Sequence, residues 1–206
     1  MKRHLCIRVL AAVVSIVTSV VRAETVAETT KLFPIFNGQD FTGWTAKDMK
    51  QFWRVEKGVL IGESDSKLSE SYLWTEKTYG DFVLQFEVKW TGETDSGIEF
   101  RKPGIQLQLG VSRSVRKDMS GSFFVGKAGY PLSGQATAAA TLMRPEGQWN
   151  SFRLVARGAT FTVWINGRRA AEYTNDGFPG AAPVGLQITG GLKMKVEYRN
   201  ISAASL

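Results

Sequence analysis

Seven polar side chains recur at every second position along three short segments. They are Gln85, Glu87 and Lys89; Glu99 and Arg101; and Gln106 and Gln108. A spacing of two places side chains on one face of an extended strand. If the three segments are neighbouring strands, the set forms one patch of carboxylates, amides and cations. Such groups pair with rows of hydroxyls, as on a sugar, and the apolar faces of sugar rings stack on aromatics. Trp44, Tyr72, Trp74, Trp149 and Trp164 are available for stacking, although large aromatics more often pack in cores. Glu87 and Glu99 could perform general acid–base work. Glycoside hydrolysis by an acid pair needs two carboxyl groups at a set separation. Gln106 and Gln108 are neutral amides and can play neither part, which leaves binding, or chemistry with a base on another strand. The plain alternative for the whole patch is a solvated strand face.

The elements that must position these residues are strands. Phe82, Leu84, Phe86, Val88 and Trp90 alternate with Val83, Gln85, Glu87 and Lys89, the period of a half-buried strand. Ile98–Arg101 and Ile105–Leu109 repeat that alternation around Lys102-Pro103-Gly104. Residues 52–61 read as a hairpin turning at Glu56-Lys57-Gly58. Residues 160–173 read as another at Asn166-Gly167, a pair that tolerates two positive φ values. Residues 184–188 and 194–201 supply the last strands. Many short alternating strands separated by most of the 21 glycines and 6 prolines indicate an all-β sandwich or jelly roll. Residues 112–145 are irregular and are expected to form a long loop over one sheet, a common place for function.

The N-terminus sets the chemical limits. Lys2, Arg3 and Arg8, an apolar run from Val9 to Val21, and Val21-Arg22-Ala23 have the order of a secretory signal peptide, residues 1–23. The run is too short to span a bilayer as a helix, so no stable membrane insertion is expected after cleavage. Residues 24–31 read as a polar tether and 32–206 as a single domain, exported to the periplasm or secreted. Lys2, Arg3, Arg8 and Arg22 precede the cut. The mature chain would then hold 22 basic and 19 acidic residues, a net charge of +3 in place of +7. That balance gives no electrostatic footprint for nucleic acid. The only cysteine, Cys6, and the only histidine, His4, also precede the cut. The mature chain cannot run Ser-His-Asp or Cys-His catalysis, nor build the usual zinc site. Carboxylates, Lys, Arg, Tyr and amides remain, with a divalent cation on oxygen ligands as a possible cofactor.

A family resemblance rests on a series of short motifs. Leu32-Phe33-Pro34-Ile35-Phe36-Asn37-Gly38-Gln39-Asp40-Phe41-Thr42-Gly43-Trp44 resembles the opening of the 3-keto-disaccharide hydrolase domain family. The likeness continues through Trp53–Leu60, Leu73-Trp74-Thr75, Tyr79–Phe82 and Ser96–Arg101. It goes on through Gly147–Asn150, Val163–Gly167 and Gly185-Leu186-Gln187 to Tyr198–Ile201, in order along nearly all of the chain after residue 31. The resemblance implies a concanavalin A-like jelly-roll β-sandwich of two antiparallel sheets acting on a glycoside or oligosaccharide oxidised at C3. A C3 ketone acidifies the C2–H, so a base can remove that proton, the C1 oxygen can leave, and water can add back. In those terms Glu87 or Glu99 is the base. Arg101, Lys117 or a divalent cation holds the enolate, and Asp118 is a further candidate. Trp74, Gln106, Gln108 and Gln187 bind the sugar. The chain departs from the family where a Glu is replaced by Gln106 and where a His often following Gly-Leu-Gln is replaced by Ile188-Thr189. A cleaving enzyme, a non-catalytic lectin-like carbohydrate-binding module and a structural envelope domain are thus the three readings.

Overall fold

Strand alternation becomes burial alternation in the folded chain. A computed structural model describes residues 30–206, so the expected signal peptide and residues 24–29 of the tether lie outside the described residues. Leu32–Leu206 forms one body. Its strands are β1 (Phe33–Pro34), β2 (Trp44–Thr45), β3 (Trp53–Glu56), β4 (Val59–Glu63), β5 (Ser71–Tyr79), β6 (Phe82–Trp90), β7 (Asp95–Phe100) and β8 (Ile105–Ser112). They continue with β9 (Lys117–Asp118), β10 (Phe123–Phe124), β11 (Asn150–Arg157), β12 (Thr160–Ile165), β13 (Arg168–Thr174), β14 (Ala182–Ile188) and β15 (Lys195–Ser205).

The first sheet has the order β13-β12-β11-β6-β15-β4-β3, with β1 beside β15. The second has the order β10-β8-β7-β14-β5-β2, with β9 beside β8. The pairings are antiparallel, so the expected jelly-roll sandwich of two antiparallel sheets is present. Both expected hairpins form. Lys57 and Gly58 have φ values of 49° and 80°, and Asn166 and Gly167 have 51° and 79°, the two positive values of a type I′ turn. The irregular stretch 112–145 does more than cover a sheet. It supplies β9 and β10, and β10 extends the edge of the second sheet through Phe123↔Leu107 and Phe124↔Gln106.

The core lies between the sheets. Phe82, Leu84, Phe86 and Val88 point into it from the first, and Ile98, Phe100, Ile105, Leu107, Leu109 and Leu186 from the second. Each such side chain contributes roughly 1.5–3 kcal/mol relative to exposure. Phe100 of β7 is wedged between Phe82 and Phe161 of the opposite sheet, with ring centroids 5.8 and 5.5 Å away. The polar groups of Ser96 and Tyr198 are paired inside: Ser96 Oγ donates to the Gln187 carbonyl at 2.7 Å and lies 3.3 Å from the Tyr198 hydroxyl. With Ile98 and Phe100 facing inward, Asp95, Gly97 and Glu99 of β7 necessarily face outward.

One expectation about strand neighbours is corrected here. β7 and β8 are adjacent, but β6 lies in the other sheet between β11 and β15. The alternation within β6 is as expected. Periodicity assigns a face to each strand but carries no information about which sheet the strand joins.

Candidate functional site

The outward face of the second sheet carries a continuous row of side chains across six strands. From β10 to β2 it reads Phe124, Gln106, Glu99, Gly185, Trp74 and Thr45. The adjacent positions are Gln108 opposite Gly97, and Gln187 opposite Tyr72. Glu99, Gln106, Gln108, Gln187 and Trp74, five of the residues selected from the sequence, therefore share one face.

Glycines make room for them. A Cβ on Gly185 would stand 2.4 Å from the Trp74 ring, one on Gly97 would stand 2.2 Å from Gln106 Nε2, and one on Gly104 would stand 2.4 Å from Glu99 Oε1. The Trp74 indole thus packs against the Gly185 backbone. It also stacks on Tyr72, with centroids 5.1 Å apart and planes within 17°, a geometry that orients both rings.

Glu99 is half-buried and hydrogen-bonded to the Tyr72 hydroxyl. Burial, and secondarily the charge of Glu70, push its carboxyl above the ordinary value of 4.5, while the Tyr72 hydrogen bond opposes that rise. The Tyr72 hydroxyl is held protonated by burial, reinforced by Glu70 and Glu99. Behind it, Gln187 Nε2 donates to Tyr72 Oη at 2.7 Å and to Glu70 Oε1 at 3.1 Å. A chain of hydrogen bonds therefore runs from Glu70 through Gln187 and Tyr72 to Glu99. Gln187 Oε1 is buried with no hydrogen-bond partner. On the other flank Gln106 Nε2 donates to Gln108 Oε1 at 3.1 Å, and Gln108 Nε2 donates to Asp95 Oδ1 at 2.7 Å.

A cavity of about 400 Å³ opens at the Tyr72–Trp74 end, lined also by Lys47, Gln51 and Glu70. Its volume lies within the range of small-molecule sites. Among the described residues, no group of three or more His, Cys, Asp or Glu side chains is placed to hold a metal ion.

The remaining selected residues stand elsewhere. Glu87 is on the first sheet, where Arg199 Nε and Asn200 Nδ2 donate to Oε2 at 2.5 and 3.0 Å. Its proposed partnership with Glu99 is corrected by the topology. Arg101 was expected to share the face of Glu99, but its φ of 64° breaks the alternation just past the end of β7. Its guanidinium turns inward, 4% exposed, and bonds Asp81 Oδ1 at 2.6 Å and the Gly158 carbonyl at 3.3 Å. It anchors a turn and does not reach an enolate at Glu99. Lys117 and Asp118 are exposed on β9 and pair with Ser112 and Val111. From Gln106, opposite Glu99, to Ser112 is six positions along β8, about 20 Å at strand rise, so neither joins Glu99. Gln108 is buried, 1% exposed, and holds Gln106 and Asp95 in place instead of presenting donors to a ligand.

Sequence reasoning missed Glu70, Lys47 and the hydrogen-bonding role of Tyr72. The signal was present: Tyr72 and Trp74 alternate with buried Ser71, Leu73 and Thr75, the mark of β5. Lys47 has no such signal, because it lies on a connection between strands.

Comparison with known proteins bears on this geometry. The sequence matches the 3-keto-α-glucoside-1,2-lyase-like domain over residues 31–203. A search of curated protein sequences finds no match. Among solved structures, a proposed glycosyl hydrolase from Parabacteroides distasonis is similar, with 22% identity, a TM-score of 0.63 and coverage of 87% of this chain and 96% of that one. The carbohydrate-binding module CBM66 from Bacillus subtilis is similar with 15% identity, a TM-score of 0.61, and 81% and 98% coverage. So is SCLam, a non-specific endo-β-1,3(4)-glucanase of family GH16, with 14% identity, a TM-score of 0.55, and 85% and 91% coverage. At these identities the three structures establish the jelly-roll fold alone. The match over residues 31–203 spans both sheets and every residue of the outward row, and the chain belongs to the 3-keto-α-glucoside-1,2-lyase-like domain family.

Proposed function

We propose that this chain is an exported enzyme that cleaves 3-keto-glycosides by proton abstraction at C2, with Glu99 as the base. The observation that carries the reading is the half-buried Glu99 carboxyl, raised above its ordinary value, at the centre of a face whose row includes Trp74. A sugar ring bound against the exposed part of Trp74 lies on the sheet beside Glu99. The carboxylate takes the C2 proton, and the electron pair moves into the C3 ketone as an enolate. Collapse of the enolate breaks the C1–O bond, the departing oxygen takes a proton, and water adds to the resulting double bond. Lys47, lining the cavity beside Tyr72 and Trp74, is the nearby cation for the enolate oxygen, the kind of charge stabilisation that developing anions require. Tyr72, its hydroxyl kept protonated, keeps the Glu99 carboxylate oriented.

The test is turnover of a 3-keto-disaccharide by purified protein. Glu99→Gln is expected to lower kcat by about 10²–10⁴-fold, the usual range for a general base, and Glu87→Gln to leave it within about twofold. Undiminished turnover by the Glu99 variant would remove the base from the mechanism. A second reading, a non-catalytic sugar-binding module, is favoured by Gln106, a neutral amide that cannot serve as acid or base, standing directly opposite Glu99. Tight sugar binding by the wild type without turnover would select it.

A further inference from the structure

The row through Glu99 has an aromatic on each side of that carboxylate. Trp74 lies two strands away on one side, across β14, and Phe124 lies two strands away on the other, across β8. At about 4.8 Å per strand each aromatic is about 10 Å from Glu99 across the sheet. Phe124 is half-buried, and its position opposite Gln106 puts it on the outward face, whereas neighbouring Phe123 is buried opposite Leu107. Tyr130 closes on it, with ring centroids 5.1 Å apart and planes at 56°. That tilt leaves an L-shaped apolar corner, not a closed stack.

The corner is braced. Gln135 Nε2 donates to the Tyr130 carbonyl at 2.9 Å, and Val125 N donates to the Gly129 carbonyl at 2.8 Å. The Tyr130 hydroxyl bonds Ser112 and lies within the field of Asp95. Between this corner and Glu99 stands Gln106, held by Gln108. An amide edge beside an aromatic wall is the recognition unit for a pyranose: hydroxyls meet the amide and ring C–H groups meet the aromatic face.

We propose that Phe124 and Tyr130 form a second sugar subsite that receives the leaving sugar of a disaccharide or longer glycan. This rests on the reading of Glu99 as the base. The 3-keto ring then occupies the Trp74 side, the scissile bond lies over Glu99, and the leaving sugar rests on Phe124 and Tyr130 with Gln106 along its edge. The preferred substrate class is accordingly a 3-keto-disaccharide over a 3-keto-glycoside with a small non-sugar leaving group.

Kinetics of Phe124→Ala and Tyr130→Ala on a 3-keto-disaccharide and on methyl 3-keto-glucoside test the assignment. The expected result is a loss of about tenfold in kcat/KM on the disaccharide for each variant, the size of one aromatic contact, with methyl 3-keto-glucoside turned over as by the wild type. Equal effects on both substrates, or none on either, would overturn it. Should the wild type cleave neither substrate, the base reading fails and the subsite is judged by calorimetric titration with the disaccharide and with glucose. Tighter binding of the disaccharide that Phe124→Ala abolishes sustains the subsite, and equal binding of the two sugars overturns it.

Discussion

At the scale of single residues, Glu99 is governed by opposing influences on one proton. Burial disfavours its charge, and the hydrogen bond from Tyr72 favours it. Removing the Tyr72 hydroxyl therefore moves the Glu99 carboxyl further upward. A base acts only when ionised, so activity is lost as pH falls through the Glu99 value. Tyr72→Phe is expected to displace that acid limb of kcat/KM to higher pH, with the activity above the limb largely retained. A pH–rate profile checks it, and an unmoved limb would separate Tyr72 from Glu99. The placement of Glu99 on an outward strand face was legible in the sequence from residue type and alternation. The relay behind it was not, because Glu70, Gln187 and Tyr72 come together only through the β5–β14 pairing, across more than 110 positions of chain.

At the scale of elements, the exit from β7 decides which side chains the face keeps. Phe100 ends the strand inside the core, and Arg101 adopts a left-handed φ of 64°, which is costly for a residue with a Cβ. The conformation is held by tertiary bonds: Arg101 to Asp81, and Lys102 N and O to the Gly180 backbone at 2.8 and 3.0 Å. Arg101→Ala is expected to lower unfolding free energy by about 1–3 kcal/mol, the cost of losing buried hydrogen bonds to a charged group. Chemical denaturation measures it. A fall in kcat at unchanged stability would instead return Arg101 to the reaction. Strand period alone carries a residue on to the face of its i−2 neighbour, and that is why Arg101 was read beside Glu99. The two type I′ hairpins were legible for the complementary reason, since Gly58 and Asn166-Gly167 state their φ requirement in residue type. β10 was not, because two residues inside an irregular stretch have no period to detect.

At the scale of the whole molecule, jelly-roll topology separates residues that sequence places close together. Glu87 and Glu99 are twelve positions apart, yet they decorate opposite sheets, and the core with its wedge of Phe82, Phe100 and Phe161 lies between. The face around Glu87 is occupied by its own pairs: Arg199 lies over Trp149 at 4.2 Å and Lys89 over the same ring at 4.9 Å. Export also belongs to this scale, because cleavage after Ala23 would remove His4, Cys6 and four basic side chains at once. Expression in a bacterial host with N-terminal sequencing of the periplasmic or medium fraction is expected to return a chain beginning at Glu24. Retention of Met1 on protein confined to the cytosol would refute it.

The glycines beneath the row give the protein two independent dials. Gly97, Gly104 and Gly185 fix how deep the face is beside Gln106, Glu99 and Trp74, and none of them carries a proton or a charge. At Gly97 and Gly185 depth can thus be altered by a methyl group that meets Gln106 or Trp74 and not the titrating carboxyl, whereas one at Gly104 would press on Glu99 itself. The converse also holds: the carboxyl at position 99 can be exchanged for an amide of nearly the same shape without altering the glycines that set the depth of the face.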